Sequence, residues 1–174
     1  MNTSELCSVL SQTLPCSRAK VWFVLSFDQL QKLQITTFPS AIIFNSQSLP
    51  KKTGHWLGLY CKSPSVNYFF DSYARPPEFY KLKVKVTDWN RTIRQRNGTS
   101  TCGLHTLMVI ILLARGYPFR HILKKYSKDK KRNEVVVLEF FRKLRPCKGI
   151  KPADPRKEQT CVPFQEVMDS STSD

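Results

Sequence analysis

The sequence is short of acid, histidine, glycine and long apolar runs. Its 174 residues carry 13 Asp+Glu against 28 Lys+Arg, with three histidines and six glycines. The longest apolar run, residues 107–114, has eight residues, whereas a membrane-spanning helix needs about 20. No membrane partner is therefore expected. The opening stretch MNTSELCSVLSQTLPCSRAK lacks the basic-then-apolar layout of a secretory signal, so the protein is expected not to be secreted. Six cysteines are then better read singly, as reduced core fillers or nucleophiles, than as a disulfide frame. Cysteines and histidines show no zinc-like spacing, and no metal is expected. Residues 20–145 contain neither an internal repeat nor a Gly/Ser linker, and no RRM, zinc-finger or helix-turn-helix signature is present.

Hydrophobic residues make up 41% and aromatics 11%, which excludes global disorder and predicts one globular domain. Its expected extent is residues 1–145. Residues 146–174 are polar, with five prolines or glycines before Gln165, and are expected to be disordered or loosely packed. The net charge of +15 is uneven, since residues 115–157 hold 15 basic and 4 acidic residues. Such an excess attracts polyanions and says nothing of fold.

Strands are predicted over 20–25 and 40–45, and a hairpin from 55–61 and 65–70 around the turn signal KSP. The alternation FYKLKVKV predicts a half-exposed edge strand over 79–86. Asp28 is a candidate N-cap for a short helix. A buried helix is predicted from Cys102, with Ser100 and Thr101 available as caps and Arg115-Gly116 at its end. An amphipathic helix over 119–126, a basic loop over 127–133 and an ambiguous segment 134–144 follow. The fold class is α+β, with the buried helix packed on a mixed, mainly antiparallel sheet.

Cys102 stands where a loop enters this helix, and unpaired N–H groups with the positive end of the helix dipole favour a thiolate there. Gly103 lets a substrate come close to the backbone. A buried core cysteine fits the same position. Three histidines can supply a base. His55 and Asp71 lie on two strands of the predicted hairpin, where an imidazole and a carboxylate can be neighbours. His105, one turn from Cys102, competes, but no carboxylate near it in sequence can orient it. His121 falls in a basic helix. Gln95, seven positions before Cys102, can aim an amide N–H at an oxyanion, or be an ordinary solvated glutamine.

Gly54-His55-Trp56, Phe69-Phe70-Asp71, Gln95 and Cys102-Gly103-Leu104, in that order and spacing, resemble the adenovirus-type (adenain-like) cysteine endopeptidases and their relatives in Maverick/Polinton-like elements and other DNA viruses. The segment AIIFN before His55 adds to the resemblance, which covers roughly residues 20–116. Ubiquitin-like-protein-specific (SUMO-deconjugating) proteases share the order. They typically have the glutamine one residue nearer the cysteine and an Asp before Cys-Gly, where this chain has Thr101. Adenain carries Glu where this chain has Asp71, a carboxylate able to do the same job.

The resemblance implies the cysteine-protease fold of these families and peptide hydrolysis through an acyl-enzyme. Cys102 would be the nucleophile, His55 the base and then acid, Asp71 its orienter, and Gln95 an oxyanion donor beside the Cys102 N–H. Trp56 would pack beside His55, with Trp56 and Gly103 on the substrate side. It further implies virion precursors as substrates, cut at small or Gly-containing sites, action in the virion and host nucleus, and a monomer. No small-molecule cofactor is expected. DNA is the expected partner, bound independently of sequence, and Lys124, Lys125, Lys128, Lys130, Lys131 and Arg132 are the candidate contacts. Adenain's activating viral peptide is linked to a cysteine between the acidic residue and the glutamine. Residues 72–94 have none, so any activating peptide here would bind non-covalently. The alternatives are deconjugation of a ubiquitin-like modifier and a non-enzymatic, basic nucleic-acid-binding module.

Overall fold

The apolar alternation along the strands is realised as a mixed sheet with two packed faces. A computed structural model of the chain describes residues 1–48 and 54–147, together with the backbone of residues 159–160. Its elements are α1 (Thr3–Thr13), β1 (Val21–Leu25), α2 (Phe27–Lys32), β2 (Ser40–Asn45), β3 (Trp56–Ser63), β4 (Val66–Phe70), a 3-10 turn (Pro77–Tyr80), β5 (Asp88–Trp89), α3 (Cys102–Ala114), α4 (Phe119–Leu123), α5 (Lys130–Lys143) and β6 (Gln159–Thr160). The strand order is β5-β4-β3-β2-β1-β6. The long β2–β3 and β3–β4 ladders are antiparallel, and the β1–β2, β1–β6 and β4–β5 pairs flanking them are parallel. The class is α+β, as expected.

Period-two alternation divides each strand between two cores. Ile43, Trp56, Tyr60 and Phe70 face α3 and the helices around it, whereas Ile42, Phe44, Leu57, Leu59 and Phe69 face α2 and the segment after the 3-10 turn. All residues of α3 from His105 to Ala114 are buried, as a helix apolar on nearly every face requires. Gly58 permits the close approach of α3 to β3, because a Cβ there would lie 3.1 Å from both Ile110 and Thr106 side-chain atoms. The helix ends as predicted. Gly116 takes φ 91°, and the Gly116 and Tyr117 N–H groups close back on Leu113 and Leu112.

Several expectations are corrected. Residues 79–86 do not form a strand. Lys81 takes a left-handed φ of 48° after the 3-10 turn, while Leu82, Val84 and Val86 still pack against the second core without joining a ladder. The predicted alternation therefore reports burial rather than strand pairing. The residues read as a basic loop, 127–133, supply the first turn of α5, with Asp129 as its N-cap accepting from the Lys131 N–H at 2.9 Å. The ambiguous segment 134–144 is the rest of that helix. The N-cap of α2 is Ser26 rather than Asp28. Helix α1, absent from the sequence reading, has a capping box in which Asn2 and Glu5 bond reciprocally at 2.8 and 2.9 Å.

The cysteines are not all reduced. Cys16 and Cys147 form a disulfide across a sequence separation of 131, with Cα atoms 5.9 Å apart. The fold brings the end of α1 against the chain leaving α5, where the Cys147 N–H donates to the Gln12 carbonyl at 2.8 Å. Among the described residues the free thiols are Cys61 and Cys102. Gln159 and Thr160 of the expected tail pair with Trp22 and Phe23; residues 148–158 and 161–174, on which the rest of that expectation falls, lie outside the described residues. No described helix is long and apolar enough to cross a membrane.

Candidate active site

His55 immediately precedes β3 and Asp71 immediately follows β4. Continuing the observed register, in which Gly58 faces Phe70, sets Asp71 opposite Leu57 and makes His55 its diagonal neighbour on the same face. The two side chains meet, with His55 Nε2 2.6 Å from Asp71 Oδ1. The His55 backbone is itself tied to the loop after β2, its N–H donating to Ser46 Oγ at 3.0 Å and its carbonyl accepting from the Ser46 N–H at 2.8 Å.

Asp71 is fully buried. Its Oδ1 also accepts from the Tyr73 N–H at 2.8 Å, and its Oδ2 accepts from Tyr80 Oη at 2.8 Å and the Arg75 N–H at 3.1 Å. Asn90 holds the Asp71 backbone on both sides, accepting from its N–H at 3.0 Å and donating to its carbonyl at 2.6 Å. Burial alone would raise the Asp71 pKa, yet the bond and charge of His55 and the Tyr73 and Tyr80 donors hold it below the usual value. The carboxylate is therefore held as an anion behind the imidazole at neutral pH.

Cys102 opens α3. The His55 side chain and the backbone N–H groups of Trp56 and Gly103 lie close enough to its sulfur to act on its charge. Because His55 Nε2 is taken by Asp71, Nδ1 is the nitrogen left for the thiol. Thr101 occupies the N-cap position but makes no side-chain cap bond. The first N–H groups of α3 are thus not consumed by a side-chain cap. Burial would raise the Cys102 pKa, but His55 and these two N–H groups lower it below that of an ordinary thiol. Burial would lower the His55 pKa, but Asp71 and Cys102 raise it from 6.5 to about 9. The pair therefore favours thiolate and imidazolium. Cys61, the other free thiol, is fully buried without such partners and is pushed up to about 12.

Of the other sequence candidates, Gln95 lies inside the protein. Its carboxamide is fully buried, with Oε1 accepting from Ser72 Oγ at 2.7 Å and Nε2 donating to the Thr99 carbonyl at 2.7 Å and Thr99 Oγ1 at 3.1 Å. It is not the solvated glutamine that its polar loop also allowed. Trp56 is buried, its indole N–H donating to the Met1 carbonyl at 3.0 Å, and the Met1 side chain lies against Gly103. His105, for which the sequence offered no nearby carboxylate, meets one from a distant helix. It is fully buried, with Nδ1 3.3 Å from Tyr126 Oη and Nε2 3.3 Å from Glu134 Oε1. Lys124, Lys125, Lys128, Lys131 and Arg132 are exposed and Lys130 half-buried, all along the end of α4 and the start of α5. None of the six makes an ion pair among the described residues. Among the described residues no group of three His, Cys, Asp or Glu side chains is placed to hold a metal.

The sequence reading missed Ser72, Tyr73, Tyr80, Asn90, Asn133 and Glu134. Tyr73 covers His55, its ring centroid 4.9 Å away. None of these residues carries a spacing signal: Ser72 and Tyr73 sit in the turn after Asp71, Tyr80 in the 3-10 turn, Asn90 after β5, and Asn133 and Glu134 in α5.

No protein-family model and no curated protein matches the chain. Solved structures to which it is similar include two of the ASFV pS273R protease. One is 15% identical over 56% of this chain and 42% of that chain, with a TM-score of 0.38, and the other 14% identical over 56% and 41%, with a TM-score of 0.34. Another is the central domain of the uncharacterised Lpg1148 protein from Legionella pneumophila, 16% identical over 82% of this chain and 95% of that one, with a TM-score of 0.46. The chain thus spans less than half the length of the ASFV protease chains it matches. At these identities and TM-scores the likenesses do not decide the activity.

Proposed function

We propose that this protein is a cysteine endopeptidase of the viral maturation type. The observation that carries the reading is the 2.6 Å imidazole–carboxylate bond of His55 and Asp71, which backs the imidazole that lowers the pKa of the Cys102 thiol. In the reaction, Cys102 Sγ attacks the scissile carbonyl carbon and the carbonyl π electrons move to oxygen. His55, protonated through the ion pair, gives its proton to the leaving nitrogen as the C–N bond breaks. Water deprotonated by His55 then attacks the thioester, and the thiolate leaves. Asp71 keeps the ring oriented and its cation stable throughout. The oxyanion is met by the Cys102 N–H and by Gln95 once Nε2 exchanges a Thr99 contact for the developing charge.

The substrates are virion precursor proteins cut at small or Gly-containing sites. DNA, held without sequence preference on Lys124 to Arg132, concentrates enzyme and precursor in the virion and nucleus, and any activating viral peptide binds non-covalently to a monomer. The decisive experiment is labelling with a thiol-reactive peptide electrophile. Wild type should be modified at Cys102, His55→Ala at least 100-fold more slowly, on the scale of general-base assistance, and Cys102→Ala should cleave nothing. Equal labelling of Cys102 in wild type and His55→Ala would overturn the reading. Offered side by side, a Gly-Gly-conjugated ubiquitin-like modifier and a precursor peptide separate the two protease classes; cleavage of the conjugate alone would replace maturation by deconjugation.

A further inference from the structure

The backbone on both sides of Gln95 is gripped by two consecutive residues of α5. Asn133 Nδ2 donates to the Arg94 carbonyl at 3.0 Å, and Glu134 Oε1 accepts from the Arg96 N–H at 3.0 Å. Glu134 also takes Thr99 Oγ1 at 3.4 Å, and Thr99 Oγ1 in turn meets Thr101 Oγ1, immediately before Cys102, at 3.0 Å. From the opposite side the Ser72 carbonyl accepts the Arg94 and Gln95 N–H groups at 2.8 and 3.2 Å. The segment from Arg94 to Thr101 thus hangs between the residue after Asp71 and the first turn of α5.

Asn133 is fully buried, and its Oδ1 accepts from the Ser127 N–H at 2.8 Å. Glu134 is backed by His105. Burial keeps His105 below its ordinary pKa despite the Glu134 charge, so the ring is neutral at physiological pH. The surrounding network assigns its tautomer: Tyr126 Oη donates to Nδ1 and Nε2–H donates to Glu134. Glu134 itself stays ionised, since the Arg96 N–H, Thr101 and His105 outweigh its partial burial. A fixed anion with several donors at separate points of one loop is a clamp.

We infer that Asn133 and Glu134 are positioning residues that fix Gln95 and the Cys102 N–H for the reaction, with the His105 ring bonded behind Glu134. The inference rests on the endopeptidase reading for its consequence and on geometry alone for the clamp. Glu134 touches neither Cys102 nor His55 among the bonds described, so its removal should spare the thiolate while loosening the oxyanion donors. Glu134→Ala should lower kcat on a peptidyl-Gly-Gly-aminomethylcoumarin about 10- to 100-fold with KM nearly unchanged, the scale on which small misplacements act. Alkylation of Cys102 by iodoacetamide should stay within about twofold of wild type, because it needs only the ion pair. Glu134→Gln, which keeps an acceptor for Arg96, should recover most of kcat.

Amide hydrogen exchange supplies a readout that needs no activity: the Arg96 N–H should lose protection in Glu134→Ala and keep it in Glu134→Gln. The inference is overturned if Arg96 protection is unchanged in Glu134→Ala, if Glu134→Gln fails as badly as Glu134→Ala, or if alkylation falls in step with kcat. A wild type that cuts no peptide, with Arg96 protection lost in Glu134→Ala, would remove the endopeptidase reading and leave the clamp. An active wild type with unchanged protection would do the reverse.

Discussion

At the scale of single residues, two free thiols of one chain are driven in opposite directions. Cys61 is buried in a strand without donors and rises to about 12, whereas Cys102, with His55 and two N–H groups, falls below the ordinary value. Cysteine identity alone says nothing of this difference; the surroundings set it. The sign of the pH response follows. His55 holds its proton up to about 9 instead of 6.5, so its contribution to folding stability is complete below 6.5 and is lost as pH rises through about 9. Asp71 has the opposite sense: its lowered pKa contributes stability above its ordinary 3.8 that is lost on acidification. Peptidase activity should therefore rise with deprotonation of Cys102 at a pH below that of a free thiol and fall on a basic limb near pH 9. Asp71→Asn removes the anion that opposes burial, so the basic limb should move from about 9 toward 6.5, by more than one pH unit. Profiles of kcat/KM for the two proteins measure the shift, and coincident limbs would show that Asp71 does not sustain the imidazolium.

At the scale of elements, the site depends on the fit of one helix to one strand. Helix α3 carries Cys102 at its first residue, and β3 begins beside His55. Thr106 Oγ1 donates to the Trp56 carbonyl at 3.0 Å, pinning the helix to the strand one turn beyond Cys102. Gly58 makes that fit possible, because a Cβ would meet Ile110 and Thr106 at 3.1 Å. Gly58→Val should cost about 1–3 kcal/mol from overpacking. It should also reduce activity, since the strain falls on the contact that places the Trp56 N–H against Cys102. Urea unfolding and peptide cleavage measured together test this; a Gly58→Val protein of wild-type stability would mean that helix and strand are less tightly fitted than their distances imply.

At the scale of the whole molecule, charge and chemistry occupy different stretches of the sequence. The proposed catalytic residues lie between His55 and Cys102, while 15 of the 28 basic residues fall in residues 115–157. Six of the latter cluster from the end of α4 to the start of α5. This separation suits docking better than catalysis. Duplex DNA should bind whatever its sequence, with log affinity falling against log salt at a slope of about −0.9 per phosphate neutralised. Replacing Lys124, Lys125, Lys128, Lys131 and Arg132 by Gln should flatten that slope. A salt-insensitive affinity, or an unchanged slope in the multiple variant, would remove DNA from the proposal. The Cys16–Cys147 disulfide also belongs to this scale. It closes a loop of 131 residues, a constraint that loop-closure entropy values at about 5 kcal/mol.

Much of the fold could be read from local pattern. The strands at 21–25 and 40–45, the hairpin and the buried helix each repeat an apolar period that local sterics turn into one element. His55, Asp71 and Cys102 were visible because they stand at the ends of those elements, and Gln95 through its spacing from Cys102 and the family resemblance. Local pattern misled where alternation met a left-handed residue at Lys81, and where Asp129 could cap a helix inside what looked like a basic loop. It was silent on long-range partners. Tyr80 and Asn90 on Asp71, Glu134 on His105, and Cys147 on Cys16 join positions from 9 to 131 residues apart. Periodicity encodes which face of an element is buried. Which donor meets which acceptor is decided only when separate elements close on one another, and there the tertiary structure determined the thiol's charge, the buried carboxylate and the clamp around Gln95.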